Sequence, residues 1–131
     1  MTTRDDTAKS WRVLDLFTKT GGLSEGLRQA GGFTTVMAVE MDQHAAATFS
    51  LNHPEAELFV GSIERWLSTG QIPQVDVIIG GPPCQGFSTL GKQDIQDERN
   101  VLWKEYARAI VLAEPTYFTT GSRATSRVGS R

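Results

Sequence analysis

The most constraining feature of the sequence is a short apolar run that ends abruptly. Residues 75–81 read VDVIIGG and are followed at once by two prolines and the only cysteine of the chain. A strand that is almost wholly apolar is typical of the centre of a parallel sheet, where other elements cover both faces. The run therefore predicts a central strand in a sheet that has helices on each side.

The rest of the chain alternates between strand patterns and helix patterns. A helical pattern that begins near Leu23 stops at Gly31-Gly32, Asp42 is placed to cap a second helix, and Pro115 ends a long one. This order predicts an α/β fold with a doubly wound, mostly parallel sheet. The other strand candidates are RVLDLF (12–17), FTTVMAVEMD (33–42) and AELFVGSI (56–63).

The carboxyl ends of these predicted strands carry polar, aromatic or reactive residues. In a parallel sheet the carboxyl ends meet at one edge, and ligands of open α/β sheets bind there. The sequence therefore predicts the functional site at this edge. The residues concerned are Phe17, Glu40, Ser62, Pro83 and Cys84.

Composition limits the class of protein without choosing a function. A single cysteine excludes an internal disulfide and a thiolate metal cluster within one chain, and it favours a reducing, cytoplasmic compartment. The polar N-terminus and the lack of a long apolar run predict neither a signal peptide nor a membrane span. The formal net charge of −2 does not indicate a chain that is basic overall, which still leaves room for a local nucleic-acid face.

A glycine pair lies between the first predicted strand and the first predicted helix, in the segment TKTGGL. Glycines at such a turn allow backbone amides to approach a ligand, and Glu40 at the next strand end could accept hydrogen bonds from ribose hydroxyls. The spacing is not that of the dinucleotide fingerprint G-x-G-x-x-G, and a glycine pair here is also compatible with tight packing alone.

The single cysteine, Cys84, has two interpretations. Free cysteine is commonly a small buried apolar residue. Here it follows a strand and two prolines that fix the entry of a loop, which is a place where a thiolate nucleophile could meet a substrate.

Several segments together resemble the DNA cytosine-5 methyltransferases. DLFTKTGG, AVEMD, GSI, DVIIGGPPCQGFS and DERNVLWKEYARAI occur in the order and spacing of that family, over residues 13–118. The resemblance implies an incomplete Rossmann-like sheet, S-adenosyl-L-methionine as cofactor and double-stranded DNA as substrate. It further implies that Cys84 attacks C6 of a cytosine that has been flipped out of the duplex, so that C5 can accept the methyl group.

The resemblance also assigns roles to individual residues. Phe17 would stack on the adenine of the cofactor, Glu40 would bind its ribose, and Gln85 and Ser88 would belong to the loop that approaches the DNA. Pro83 would shape the pocket beside Cys84. The remaining cofactor contacts implied are Gly21, Gly22 and Leu23 at the methionine end, Met41 beside the adenine, Ser62 and Ile63 at the adenine edge, and Leu102.

The sequence departs from the family pattern at three places. Lys19 replaces a glycine of the first motif, Ser62 replaces an aspartate, and Gly121-Ser122-Arg123 stand where the family has Glu-Asn-Val. That glutamate protonates the cytosine ring, so the chain alone is expected to be inactive.

The polar composition of both ends and the extent of the resemblance predict a polar N-terminal tail (1–10), the N-terminal part of a catalytic domain (11–118) and a disordered tail (119–131) unrelated to the family. Three interpretations of the chain stay open. It is a truncated fragment, one subunit of a split enzyme completed by a C-terminal chain, or a non-catalytic cofactor- or partner-binding remnant. The histidines, His44 and His53, are interpreted as ordinary helix-surface and turn residues, and Trp66 and Trp103 as core or cover.

Overall fold

The computed structural model of the chain describes residues 10–81, 98–119 and 125–127, which form one sheet with helices between its strands. The strands are β1 (Trp11–Leu16), β2 (Phe33–Glu40), β3 (Glu57–Val60), β4 (Val77–Gly80), β5 (Tyr117–Thr119) and β6 (Thr125–Arg127). The helices are α1 (Gly22–Ala30), α2 (Gln43–Asn52), α3 (Ile63–Ser68) and α4 (Glu98–Ala113).

The strand order is β3-β2-β1-β4-β5-β6, and strands β1 to β5 run parallel to one another. This confirms the predicted α/β sheet. The chain moves outward from β1 through β2 to β3 and then returns to the other side of β1 with β4. The point between β1 and β4 is thus a topological switch point, where a crevice opens at the carboxyl ends of the strands.

The apolar run of residues 75–81 forms the central strand that its composition predicted. All four residues of β4 are buried, and β1 and β5 flank the strand. Ile78 packs into a large core cluster with Leu14 and Tyr106, and Val77 and Ile79 face a second cluster on the opposite side. The end of β4 requires a glycine for steric reasons, because a Cβ on Gly80 would lie 1.8 Å from the carbonyl oxygen of Leu16.

The helix ends agree with the signals in the sequence. The Asp42 carboxylate accepts a hydrogen bond from the His44 N–H at the start of α2 (2.9 Å), and α4 ends two residues before Pro115. Tyr106 of α4 is buried, and its hydroxyl donates to the carbonyl oxygen of Thr119. This bond connects α4 with the end of β5.

The C-terminal segment differs from what the sequence predicted. Residues 119–131 were expected to form a disordered tail, yet Thr125–Arg127 pairs with β5 in antiparallel register. The physical reason is that the edge of β5 offers unpaired backbone N–H and C=O groups, which even a segment of three residues can satisfy. The division at residue 118 stays a prediction.

Within the described part of the chain, no helix has the length and apolar character needed to cross a bilayer.

Candidate active site

The carboxyl ends of four neighbouring parallel strands meet at one edge of the sheet. Phe17 follows β1, Glu40 ends β2, Ser62 comes two residues after β3, and Gly81 follows β4. The sequence predicted this convergence from strand order alone. Pro83, Cys84, Gln85 and Ser88 lie outside the described residues, so their roles stay predictions. Cys84 follows Gly81 by only three residues in the sequence.

A cavity of about 190 Å³ opens at this edge. It is smaller than the usual range of whole-ligand sites, roughly 300–1,000 Å³, so it suits one part of a ligand rather than all of it. Six of its lining residues are among those for which the resemblance implied cofactor contacts, and Val39 and Gly61 are additional. The lining residues are Phe17, Val39, Glu40, Met41, Gly61, Ser62, Ile63 and Leu102.

The Glu40 carboxylate is oriented by two backbone donors. Its Oε1 accepts a hydrogen bond from the Lys19 N–H (2.7 Å), and its Oε2 accepts one from the Asp42 N–H (2.8 Å). An ionised carboxylate has about four lone-pair sites, so each oxygen can still accept one more hydrogen bond. The arrangement fits recognition of a pair of hydroxyl groups, such as those of a ribose.

The segment 17–21 between β1 and α1, which we call the β1–α1 loop, is tightly turned. Phe17, Lys19 and Gly21 have positive φ angles of 57°, 53° and 94°. The first two are not glycines, and such conformations persist where the surrounding structure holds them in place. Lys19 therefore occupies the left-handed conformation that suits the family's glycine. Its side chain is exposed and does not line the cavity at Glu40.

Asp15 lies beneath this loop and was not singled out from the sequence. Its Oδ2 accepts hydrogen bonds from the hydroxyls of Thr18 and Ser24, both at 2.6 Å, while Oδ1 has no hydrogen-bond partner. Burial raises the pKa of Asp15 to about 6, although the two hydroxyls lower it. The sequence feature that could have indicated Asp15 is its position inside an apolar strand. An acidic side chain is rarely buried there unless hydrogen bonds or another charge compensate it.

Ser62 has a structural role besides its place in the cavity. Its Oγ accepts a hydrogen bond from the Arg65 N–H (3.1 Å) and so caps the N-terminus of α3. The hydroxyl proton is still available to donate toward the cavity. Ser62 thus keeps the capping function that an aspartate would also serve, but it brings no negative charge to the site.

The glycine pair is not part of the cavity at Glu40. Gly21 and Gly22 line a separate cavity of about 580 Å³, together with Glu25, Arg28 and His53. Leu23 is 45% exposed on α1 and lines neither cavity. The roles of these three residues at the methionine end of a cofactor stay predictions.

One of the histidines differs from its interpretation in the sequence. His44 is exposed on α2, as expected, but His53 is only 2% exposed. His53 is the C-terminal cap of α2, which agrees with its interpretation as a turn residue. Its ring, however, is buried against Phe49. The sequence shows the turn in NHP, whereas the burial depends on how α2 packs beside α1.

Comparison with solved structures shows the class of the protein. An E. coli prophage-encoded protein described as a DNA modification methyltransferase superposes with a TM-score of 0.65 and 36% identity, over 88% of this chain and 34% of that one. Together with the switch point and the cavity, this likeness defines a Rossmann-like α/β domain of the methyltransferase type.

The family follows from the sequence match. The family model for C-5 cytosine-specific DNA methylases matches residues 11–120, and the chain belongs to that family. Type II methyltransferase M.DdeI of Desulfomicrobium norvegicum is 38% identical over 110 residues, covering 81% of this chain and 26% of the relative. M.AgeI of Thalassovita gelatinovora is 45% identical over 102 residues, covering 72% and 24%. The chain thus spans about a quarter of the length of these curated relatives.

Proposed function

We propose that this chain provides the S-adenosylmethionine-binding, nucleophile-bearing part of a DNA cytosine-5 methyltransferase. The observation that carries the proposal is the cavity at Glu40, where six residues from separate segments of the sequence meet. These six are the residues that the family resemblance links to the cofactor. A family match over residues 11–120 supports the same conclusion.

Each lining group has a distinct task in this proposal. Phe17 covers one face of the adenine, and Glu40 accepts hydrogen bonds from the ribose hydroxyls while backbone donors hold its carboxylate. Ser62 donates toward the polar edge of the base. When bound, S-adenosylmethionine supplies an electrophilic methyl group for C5 of cytosine.

Cys84 is the proposed nucleophile of the reaction. Its thiolate adds to C6 of a cytosine flipped out of double-stranded DNA, which makes C5 nucleophilic, and loss of the C5 proton after methylation expels the thiolate. Because the proposed substrate is cellular DNA, the proposed place of action is the cytoplasm, in association with DNA. The position three residues after Gly81 supports this role, because Gly81 lies at the same edge as the cavity.

The chain has Gly121-Ser122-Arg123 where the family places a glutamate that acts on the cytosine ring. We therefore propose that the chain alone does not turn over and that a complementary C-terminal chain is needed. That chain would supply the glutamate and the region that recognises the target DNA. General acid assistance typically contributes about 10²–10⁴-fold to rate, so its loss is a large defect.

Calorimetric titration of the chain with S-adenosylmethionine tests the cofactor site. Glu40→Gln should raise the dissociation constant at least about tenfold, because hydrogen bonds to a charged group contribute roughly 1.5–3 kcal/mol. Glu57→Gln is the matched control, since Glu57 starts β3 at the opposite end of the sheet. Equal affinity in the wild type and Glu40→Gln would contradict the assignment.

Transfer of a labelled methyl group to cytosine-containing DNA tests the nucleophile. We expect no turnover by the chain alone and activity after addition of a complementary C-terminal chain, with Cys84→Ser abolishing that activity. Turnover by the unaided chain would show that the proposed incompleteness is wrong. Activity retained in Cys84→Ser would remove the thiol from the mechanism.

A further inference from the structure

His53 belongs to α2 but lies against the β1–α1 loop. Its ring stacks on Phe49 with the centroids 4.7 Å apart and an interplanar angle of 28°, and only 2% of the residue is exposed. The backbone fixes its position at both sides, because the His53 N–H donates to the Phe49 carbonyl (2.8 Å) and its own carbonyl accepts from Ala56 (3.2 Å).

The two stacked rings meet the loop at Gly21. A Cβ at this position would lie 2.7 Å from Phe49 Cδ2 and 3.1 Å from both Cδ2 and Nε2 of His53. Gly21 is also the residue that turns the loop into α1. Its N–H donates to the Thr18 carbonyl, and its own carbonyl accepts from the Glu25 N–H, both at 2.9 Å.

Among the described residues, the two carboxylates nearest the His53 ring lie beyond hydrogen-bond distance. The Glu25 carboxylate lies 4.0 Å from Nε2, and the Glu55 carboxylate lies 3.8 Å from Nδ1. Both distances exceed those of a hydrogen bond. Within the described part of the chain, the closest packing of the ring is therefore against Phe49 and Gly21.

We infer that His53 is a positioning residue for the β1–α1 loop. Its ring supports the left-handed turn at Gly21, so that Phe17 and the N–H of Lys19 face the Glu40 cavity before any ligand arrives. With respect to the cofactor, the inference rests on the function proposed above. A loop that is ordered in advance lowers the entropic cost of binding.

Amide hydrogen exchange of the cofactor-free chain tests the inference without any ligand. In His53→Ala, exchange of the Gly21 amide should accelerate about tenfold more than exchange of the Leu14 amide in β1, which reports general stability. His53→Phe keeps a stacking ring and should restore slow exchange at Gly21. His44→Ala changes an exposed histidine of the same helix and should behave as the wild type. Equal acceleration at Gly21 and Leu14 would overturn the inference.

Affinity for S-adenosylmethionine provides the second measurement on the same variants. We expect His53→Ala to raise the dissociation constant about tenfold and His53→Phe to return it close to the wild-type value. If the wild type binds and His53→Ala binds equally well, the positioning role is wrong. If the wild type does not bind the cofactor, the proposed function fails, and the exchange measurement still decides the role of His53.

Discussion

The two sides of the β1–α1 loop are held by different kinds of contact. On one side, the loop presents the Lys19 N–H to the Glu40 carboxylate and borders a cavity with room for a ligand. On the other side, Gly21 meets the packed rings of Phe49 and His53. The first side carries groups that can bind, and the second carries groups that shape the loop. A binding loop of this kind thus depends on a helix whose own sequence shows no binding motif.

The difference between the two sides also concerns charge. Asp15 lies below the loop, where burial raises its pKa and hydrogen bonds from the Ser24 and Thr18 hydroxyls only partly oppose that rise. Glu40, by contrast, is anchored by two backbone N–H groups. Changes that affect packing should therefore alter stability first, whereas changes at the cavity should alter affinity first.

The largest expected effect is at the packed side of the loop. Gly21→Ala should lower the free energy of unfolding by roughly 3 kcal/mol, because it combines a left-handed alanine with overpacking against two rings. Gly22→Ala is the matched control, since a Cβ there meets nothing within 4 Å and helix α1 begins at this residue. Chemical denaturation of both variants measures the difference. Equal stability of the two variants would show that the rings do not constrain Gly21.

The second effect concerns the pH dependence of stability. Burial raises the pKa of Asp15 from its ordinary value of 3.8 to about 6 in the folded chain. Between about pH 4 and 6 the folded state therefore binds more protons than the unfolded state, and stability falls as pH rises through this window. Once the pH exceeds the folded-state pKa, the free energy of unfolding has fallen by about 3 kcal/mol in total, at 1.36 kcal/mol for each pKa unit.

Asp15→Asn cannot titrate and should flatten this part of the stability profile, as measured by denaturation at several pH values. Glu25→Gln is the control, because the hydrogen bond from Arg28 lowers the pKa of Glu25 to about 2. The contribution of Glu25 is therefore present above about pH 4.5 and lost as pH falls toward 2. A wild-type slope in Asp15→Asn would show that another group is responsible.

The smallest expected effect is at Lys19 on the open side of the loop. Lys19→Gly relieves a left-handed non-glycine residue and should stabilise the chain by about 1 kcal/mol, with the N–H bond to Glu40 retained. It should also tighten binding of S-adenosylmethionine, because the ammonium, although outside the cavity at Glu40, adds positive charge to the loop beside a site for a cationic ligand. Lys19→Ala removes the ammonium and keeps the strain, so we expect it to share the gain in affinity but not the gain in stability. Unchanged affinity in both variants would remove Lys19 from the account of the site.

Much of the fold could be predicted because its signals are local. The apolar run at residues 75–81 indicated the central strand, Asp42 capped α2, and Pro115 followed the end of α4. The edge that carries Phe17, Glu40 and Ser62 followed from strand order, since parallel strands bring their carboxyl ends together. These predictions needed only spacing, propensity and the geometry of a parallel sheet.

The short strand β6 could not be predicted in the same way. Thr125–Arg127 has no alternation or apolar run that would mark it as a strand, and its pairing depends on the edge that β5 offers. Edge pairing satisfies backbone groups, and backbone groups are the same in every sequence. A segment with little propensity can therefore enter a sheet when an edge is within reach.

The sequence by itself determined which residues stand at the strand ends, because helix and strand periods and turn residues act over a few neighbours. Only the tertiary structure decided that His53 is buried against Gly21 and that the Asp15 carboxyl retains a proton up to about pH 6. The burial and the pKa of a side chain depend on all the atoms that surround it. For His53 and Asp15 those atoms come from β1, α1, α2 and β2. A local sequence pattern cannot report these distant atoms. Packing therefore shaped the β1–α1 loop, whereas the sequence had already indicated the groups that can bind there.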